Sequence, residues 1–304
     1  GFYKNLYPEN PEISFAEWMA MAVPVVVLFI PIVWIYLCKF VSPVPLNRIE
    51  LSKGNEDVVK HELESLGKIT RPEKMVACIF AMTALLWIFR KPLVLGSVTM
   101  PGWSSLFPNP EMFHDSTVAM IMGVLLMLLP VYYREGIVKN DQREYFLLDW
   151  KTVETRMPWG ILLLFGGGFA LASGFTETGL TGWIGNQLTG LSSLPLWAVV
   201  LFVCLGITFL TELTSNTATS TIILPVMGAA AVVAGFHPLM FMLPATLSAS
   251  FAFMLPVATP PNAIVFGSGW VTIPAMSRAG FALNLIGAVL VTTLALLLIQ
   301  ALFL

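Results

Sequence analysis

The chain has 304 residues, 57 % of them hydrophobic and 11 % charged, with a mean hydropathy of +0.80 and a net charge of −2. Soluble domains carry about 25 % charged residues, so a soluble globular domain is excluded and an integral membrane protein with several spans is implied. The apolar runs are long and unbroken, which excludes the short alternating segments of a membrane β-barrel; the small net charge singles out no class of partner, and no nucleic acid is expected.

Gly1 to Ser14 is polar and rich in Tyr and Pro, so no signal peptide is expected before the first span. The chain lacks an initiating Met and is expected to be cut from something longer. Phe15 to Phe40 is the first apolar run, long enough for a span of about 20 residues. Ser42 to Arg71 is polar and carries a short amphipathic helix with Val58, Val59, Leu63 and Leu66 on one face and Gly67 as its stop, expected to lie along the membrane surface. A second span is expected from Pro72 to Phe89, a loop from Arg90 to Asp115, a third span from Ser116 to Tyr133, and a charged loop from Arg134 to Met157. Trp159 to Gly179 makes a fourth span, in which Gly166, Gly167 and Gly168 predict a close helix–helix contact. No strand precedes and no lysine follows those glycines, which excludes a phosphate loop.

Thr181 to Leu194 reads as interfacial. Leu196 to Ala234 is apolar around a polar break at Thr214-Ser215-Asn216-Thr217, and each arm is too short to span alone, so a re-entrant hairpin with its tip near the midplane is expected. Pro238 to Ile273 is a second interrupted segment, broken at Pro256, Thr259, Pro260, Pro261 and Asn262. Ala279 to Leu304 is the last span, uninterrupted. With the loop at 39–74 placed in the cytoplasm, 13 of the 16 basic residues fall on the cytoplasmic side and Lys4, Arg90 and Lys91 outside, as the positive-inside rule requires.

Broken backbone at membrane depth is tolerated only where it is buried in protein or lines a cavity, and paired interrupted segments point to the binding site of a secondary transporter. Ser215, Asn216 and Thr217 are helix N-cap types where the second hairpin arm begins, so unpaired N–H groups and the helix dipole favour a bound anion there. The carbonyls that end the first arm, with Ser, Thr and Asn oxygens, are hard ligands of the kind a small cation takes. At the second break Pro256, Pro260 and Pro261 free upstream carbonyls, Thr259 and Asn262 add side-chain oxygens, and Gly267, Ser268 and Gly269 are expected to admit another backbone. On this reading Pro260→Ala lets the helix reform and raises the substrate KM. Glu212, deep in the apolar region, is either a proton carrier or a structural acceptor for the tip backbone. The widely spaced Cys38, Cys78 and Cys204 read as small core hydrophobes, with neither metal spacing nor a disulfide framework, and His61, His114 and His237 carry no expected metal or catalytic role. No organic cofactor is expected.

At these two breaks the chain resembles the divalent-anion:sodium symporter family of sodium-coupled dicarboxylate, citrate and sulfate transporters. Ser215-Asn216-Thr217 looks like the second of the family's two hairpin-tip motifs, and Ser250, Phe253, Pro256, Asn262 and Val265 match its C-terminal series. Only one of the two tip motifs is present, so the chain resembles the C-terminal half of such a transporter. The resemblance implies an all-α polytopic membrane protein, one inverted repeat of a homodimeric elevator carrier, with a re-entrant hairpin and a discontinuous helix. It implies a transport domain built from residues 1–41 and 181–304, a cytoplasmic arm at 42–71, and scaffold and dimer contacts at 72–180. It implies substrate contacts at Ser215, Asn216, Thr217, Thr259, Pro260 and Pro261, and a sodium ion held by Thr214, Asn216 and the Ala258 carbonyl. The expected function is sodium-coupled import of a di- or tricarboxylate such as succinate or citrate across the plasma membrane. Sulfate is the alternative cargo and an anion channel the alternative class; no nucleophile elbow or carboxylate pair supports an enzyme.

Overall fold

The computed structural model describes residues 2–7, 9–41, 60–61, 63–95, 98–131, 145–180, 182–183 and 194–303. In chain order the helices are α1 (Phe2–Leu6), α2 (Phe15–Tyr36), α3 (Arg71–Ile88), α4 (Asp115–Leu128), α5 (Trp150–Arg156), α6 (Trp159–Glu177), α7 (Leu196–Thr211), α8 (Asn216–Val233), α9 (Leu239–Ser248), α10 (Pro260–Gly267) and α11 (Ile273–Leu302). Two antiparallel ribbons depart from the all-helical expectation: β1 (Leu93–Leu95) pairs with β2 (Val98–Met100), and β3 (Pro130–Val131) with β4 (Tyr145–Phe146). Each joins helices across a stretch expected to be loop or span end.

Among the described residues, Phe15–Val41, Asn216–Val233 and Ile273–Leu302 are long and apolar enough to cross a membrane, and α4, α7 and α9 are shorter apolar helices. The expected polytopic helical architecture is present. The third expected span is cut short, because α4 ends at Leu128. Pro130 has no N–H to continue it, and a residue before proline is driven out of the helical region, as Leu129 is at ψ 114°. Most of the expected surface helix, including Val58 and Val59, lies outside the described residues, as do most of 181–194 and the basic residues Arg48, Lys53, Arg134, Lys139 and Arg143. Leu63 and Leu66 are described, helical and exposed.

The chain divides into two compact units: Gly1–Glu12, Met19–Val44 and Trp159–Leu304 form the first, Ile13–Trp18 and Pro45–Pro158 the second. In the second, Thr70 and Glu73 form a capping box that starts α3. α3 and α4 pack through Ile79, Val118 and Met122, flanked by Leu86, Trp87 and Trp103. Asp115, the first residue of α4, ties three segments together. One of its oxygens takes Arg90 Nε at 2.6 Å, the other the backbone N–H of Phe15 at 3.1 Å, and its carbonyl takes Trp87 Nε1 at 2.8 Å. Arg90 is 2 % exposed and also donates to Phe113 O. Removing one partner of a buried pair strands the other charge. Asp115→Ala is therefore expected to lower folding stability by about 3 kcal/mol, read as a drop in the thermal midpoint of the detergent-solubilised full-length protein.

In the first unit α9 is almost wholly buried and packs against α7, α8 and α11. α11 begins at Ile273, ahead of the expected Ala279, because the Thr272 hydroxyl accepts the Ala275 N–H and Pro274 sits in the first turn. Two glycine expectations change. Gly267 and Gly269 face open space, and Gly269, at φ +75°, simply ends α10. Gly166 and Gly167 also face open space among the described residues, whereas Gly168 is buried.

Candidate functional site

Both breaks form where the polar clusters predict them. α7 stops at Thr211 and α8 starts at Asn216, with Glu212 to Ser215 as the turn. Ser215 is the N-cap of α8, but its side chain makes no capping bond; Thr219 N–H to Ser215 O, 2.8 Å, is the first helical bond. The N–H groups of Asn216, Thr217 and Ala218 are thus the orphan donors of a helix start, where the dipole is positive. The Thr214 hydroxyl turns back to Leu210 O at 3.0 Å and meets the Thr219 hydroxyl.

The second break is longer than the prolines suggest, running from the end of α9 at Ser248 to Thr259, the N-cap of α10. Pro260 and Pro261 occupy the first two positions of α10, where their missing N–H groups would be orphaned anyway. The next N–H, that of Asn262, goes to the Thr259 hydroxyl oxygen at 3.4 Å. Residues 260–262 of α10 therefore offer an anion no free N–H, and the Thr259 hydroxyl proton remains beside them as a donor. The Asn262 amide also differs from its expected role: Nδ2 donates to Ala252 O at 2.9 Å and Leu255 O at 3.0 Å, clasping the break.

The last turn of α7 binds the second break directly. Glu212, 3 % exposed, accepts the backbone N–H groups of Phe253 (2.7 Å), Met254 (2.9 Å) and Leu255 (3.1 Å), and Asn284 Nδ2 of α11 at 2.7 Å. Of the two roles left open for Glu212, the structural one holds, but its partner is the other break rather than its own tip. Thr208 Oγ1 lies 3.4 Å from Ser248 O, and Thr211 Oγ1 is 2.9 Å from Ala249 O and 2.7 Å from Asn216 Oδ1. A hydroxyl has one proton. Both contacts are satisfied when Thr211 donates to Ala249 O and the Asn216 amide turns its Nδ2 to Thr211. On the far side, the Ser277 hydroxyl donates to Met254 O at 3.2 Å, and the break lies so close to α11 that a Cβ on Gly280 would overlap the Phe253 carbonyl.

Beside this joint lies an open cleft of about 280 Å³ lined by Phe165, Asn216, Thr217, Ser220, Thr221, Leu224, Thr246 and Ser250. The hydroxyl protons of Ser220, Thr221 and Thr246 go back to carbonyls one turn earlier in their own helices, Asn216 O, Thr217 O and Met242 O, at 2.7–2.8 Å. These three present lone pairs, while the start of α8 presents donors, so the cleft has one end suited to an anion and a wall suited to a cation.

Of the expected site residues, Asn216 and Thr217 line the cleft; Thr214, Ser215, Ala258, Thr259, Pro260 and Pro261 do not. Thr214 and Ser215 are exposed at the turn, Ala258 is buried in a turn after Pro256, and Thr259 caps α10. Sequence reasoning gave Phe165, Thr246 and Leu224 no role, and Ser250 entered only through the family series. For Thr246 the available signal was a hydroxyl within an apolar helix. Pro260→Ala is not expected to rejoin α9 to α10, because Glu212, Asn262 and Ser277 bond the intervening backbone. Substrate KM for this variant is now expected to stay within about threefold of wild type, measured as uptake kinetics.

The family model described as the sodium:sulfate symporter transmembrane region matches residues 8–304. The sodium-dependent dicarboxylate transporter SdcS of Staphylococcus saprophyticus is 39 % identical over 291 residues, covering 96 % of this chain and 52 % of that protein. SdcS of Staphylococcus aureus is 40 % identical over 280 residues, covering 92 % and 50 %. The chain spans about half the length of these curated relatives.

Proposed function

Because the chain belongs to the sodium:sulfate symporter family, we propose that it is the C-terminal half of a sodium-coupled carrier that imports dicarboxylates across the plasma membrane. One observation carries the reading: the two helix breaks are bonded to each other beside a cleft with helix-start donors at one end and hydroxyl lone pairs along a wall. Among the described residues no Arg or Lys lines that cleft, so a dianion bound there is matched by travelling cations as its countercharge. Each net positive charge moved inward gains about 2.3 kcal/mol per 100 mV, which drives accumulation of the anion.

Asn216 and Thr217, with Ser215, contact the substrate carboxylate through the first turn of α8; Thr259 contacts it from the second break through its hydroxyl, with Pro260 and Pro261 setting the start of α10 behind it. Thr214, Asn216 and the Ala258 carbonyl hold one sodium. The carrier works as a homodimeric elevator, with residues 1–41 and 181–304 moving, 42–71 as the connecting arm and 72–180 as scaffold. α6 is then scaffold, and its packing on α8 is the surface over which the mover slides. The SdcS relatives, named for dicarboxylates, favour succinate over sulfate and over citrate as the first cargo to try. Uptake of labelled succinate, citrate and sulfate by the full-length protein in liposomes, with sodium against choline outside, tests this. Sodium-dependent succinate uptake is expected. Sulfate uptake alone would change the cargo, and uptake indifferent to sodium would overturn the coupled site.

A further inference from the structure

We infer that Glu212 and Asn284 are positioning residues of the ligand cleft: they hold the second break in its ligand-ready shape and lock it to the first, so that the two breaks act as one rigid element. The inference rests on the proposed carrier function for its transport readout but not for its structural one.

Three consecutive backbone N–H groups, those of Phe253, Met254 and Leu255, have left any helix and converge on one carboxyl group. Asn284 Nδ2 adds a fourth donor, from a side chain that is wholly buried. Hydrogen bonds to a charged acceptor are stronger than neutral ones, and a buried donor left without its acceptor keeps its full desolvation penalty. The break therefore has one well-defined backbone course while the carboxylate is present and several without it. Every group facing Glu212 in these four contacts is a donor, so the side chain is placed as an acceptor and not as a station for a proton.

The same turn of α7 carries Thr211, which bonds Ala249 O on one side and Asn216 on the other. Asn216 of the first break lines the cleft, and so does Ser250, which stands in the second break just ahead of the clasped backbone. Displacing the clasp thus shifts ligands from both breaks together, although Glu212 itself is absent from the cleft lining.

Glu212→Gln keeps length and shape but turns an NH₂ group toward a ring of donors. Hydrogen–deuterium exchange of the full-length protein in nanodiscs reads the consequence. The amides of 253–255 are expected to exchange at least about tenfold faster in the variant, with the α11 peptides unchanged. In liposomes, the sodium concentration for half-maximal uptake rises at least about threefold, while the pH profile of uptake parallels wild type. Unchanged exchange at 253–255 would overturn the clasp, and a flattened pH profile would restore the proton role. If Glu212→Gln does not accumulate, Glu212→Asp takes its place: the charge stays but its reach is shortened, and exchange at 253–255 must still quicken or the inference fails. Wild-type protein without sodium-dependent uptake would refute the carrier reading alone, since the exchange measurement needs no transport.

Discussion

Asn216→Ala is expected to leave the protein folded and to cut the proposed sodium-driven uptake to below about one hundredth of the wild-type rate. Alanine is the better helix former, and the Asn216 backbone keeps its carbonyl bond to the Ser220 hydroxyl, so α8 itself does not suffer. What disappears is an amide at the first position of α8, between Thr211 and the open cleft. In the proposed site that amide serves the substrate carboxylate with a donor and the cation with an oxygen. Each lost contact to a charged group is worth about 1.5–3 kcal/mol, and two of them reach the stated factor at about 1.4 kcal/mol per decade. The check is uptake together with thermal stabilisation by sodium and by succinate. Loss of all three with an unchanged melting midpoint in their absence is the expected pattern; uptake within about threefold of wild type would remove Asn216 from the site.

The second large effect separates two glycines of one helix. A methyl group at Gly280 would run into the Phe253 carbonyl and the Met254 nitrogen, backbone atoms that Glu212 and Ser277 hold in place. A methyl group at Gly287 would meet the Phe251 ring, a side chain rather than hydrogen-bonded backbone. Gly280→Ala is therefore expected to reduce uptake at least about thirtyfold and Gly287→Ala no more than about fivefold, with overpacking costing about 1–3 kcal/mol in the first case. Measuring both variants at matched expression decides the point: equal effects would mean that the packed backbone at 253–254 is not what the cleft depends on.

The course of the helices and the places where they break were legible because both follow local rules. The polar turn at Glu212–Ser215 and the paired prolines at 260–261 mark the two breaks, whereas the lone Pro24, Pro31, Pro225 and Pro244 lie inside helices; Thr272 with Pro274 carried a helix-start signal that hydropathy alone passed over. The ribbon at Pro130–Val131 was hidden within an apolar run whose proline was the better guide. The contacts across the site were not legible. Glu212 meets its backbone partners more than forty residues away and Asn284 on another helix again, and no periodicity encodes such a meeting. The cleft shows the same division: Asn216 and Thr217 stood out as a polar break, whereas Phe165 and Thr246 are ordinary members of helices until packing turns them toward the same space.

The lining of that cleft has a consequence for how the protein responds to its medium. Among the described residues its polar groups are hydroxyls, one amide and the N–H groups of a helix start, with no ionic side chain in the lining. Screening by dissolved salt weakens attraction between fixed charges over about 8–10 Å at physiological strength, and it has little to act on among neutral dipoles. On the proposed reading, ionic strength and sodium activity are thus separate variables for this site: an inert salt is expected to leave the cleft unaltered, and sodium to act on it as a ligand.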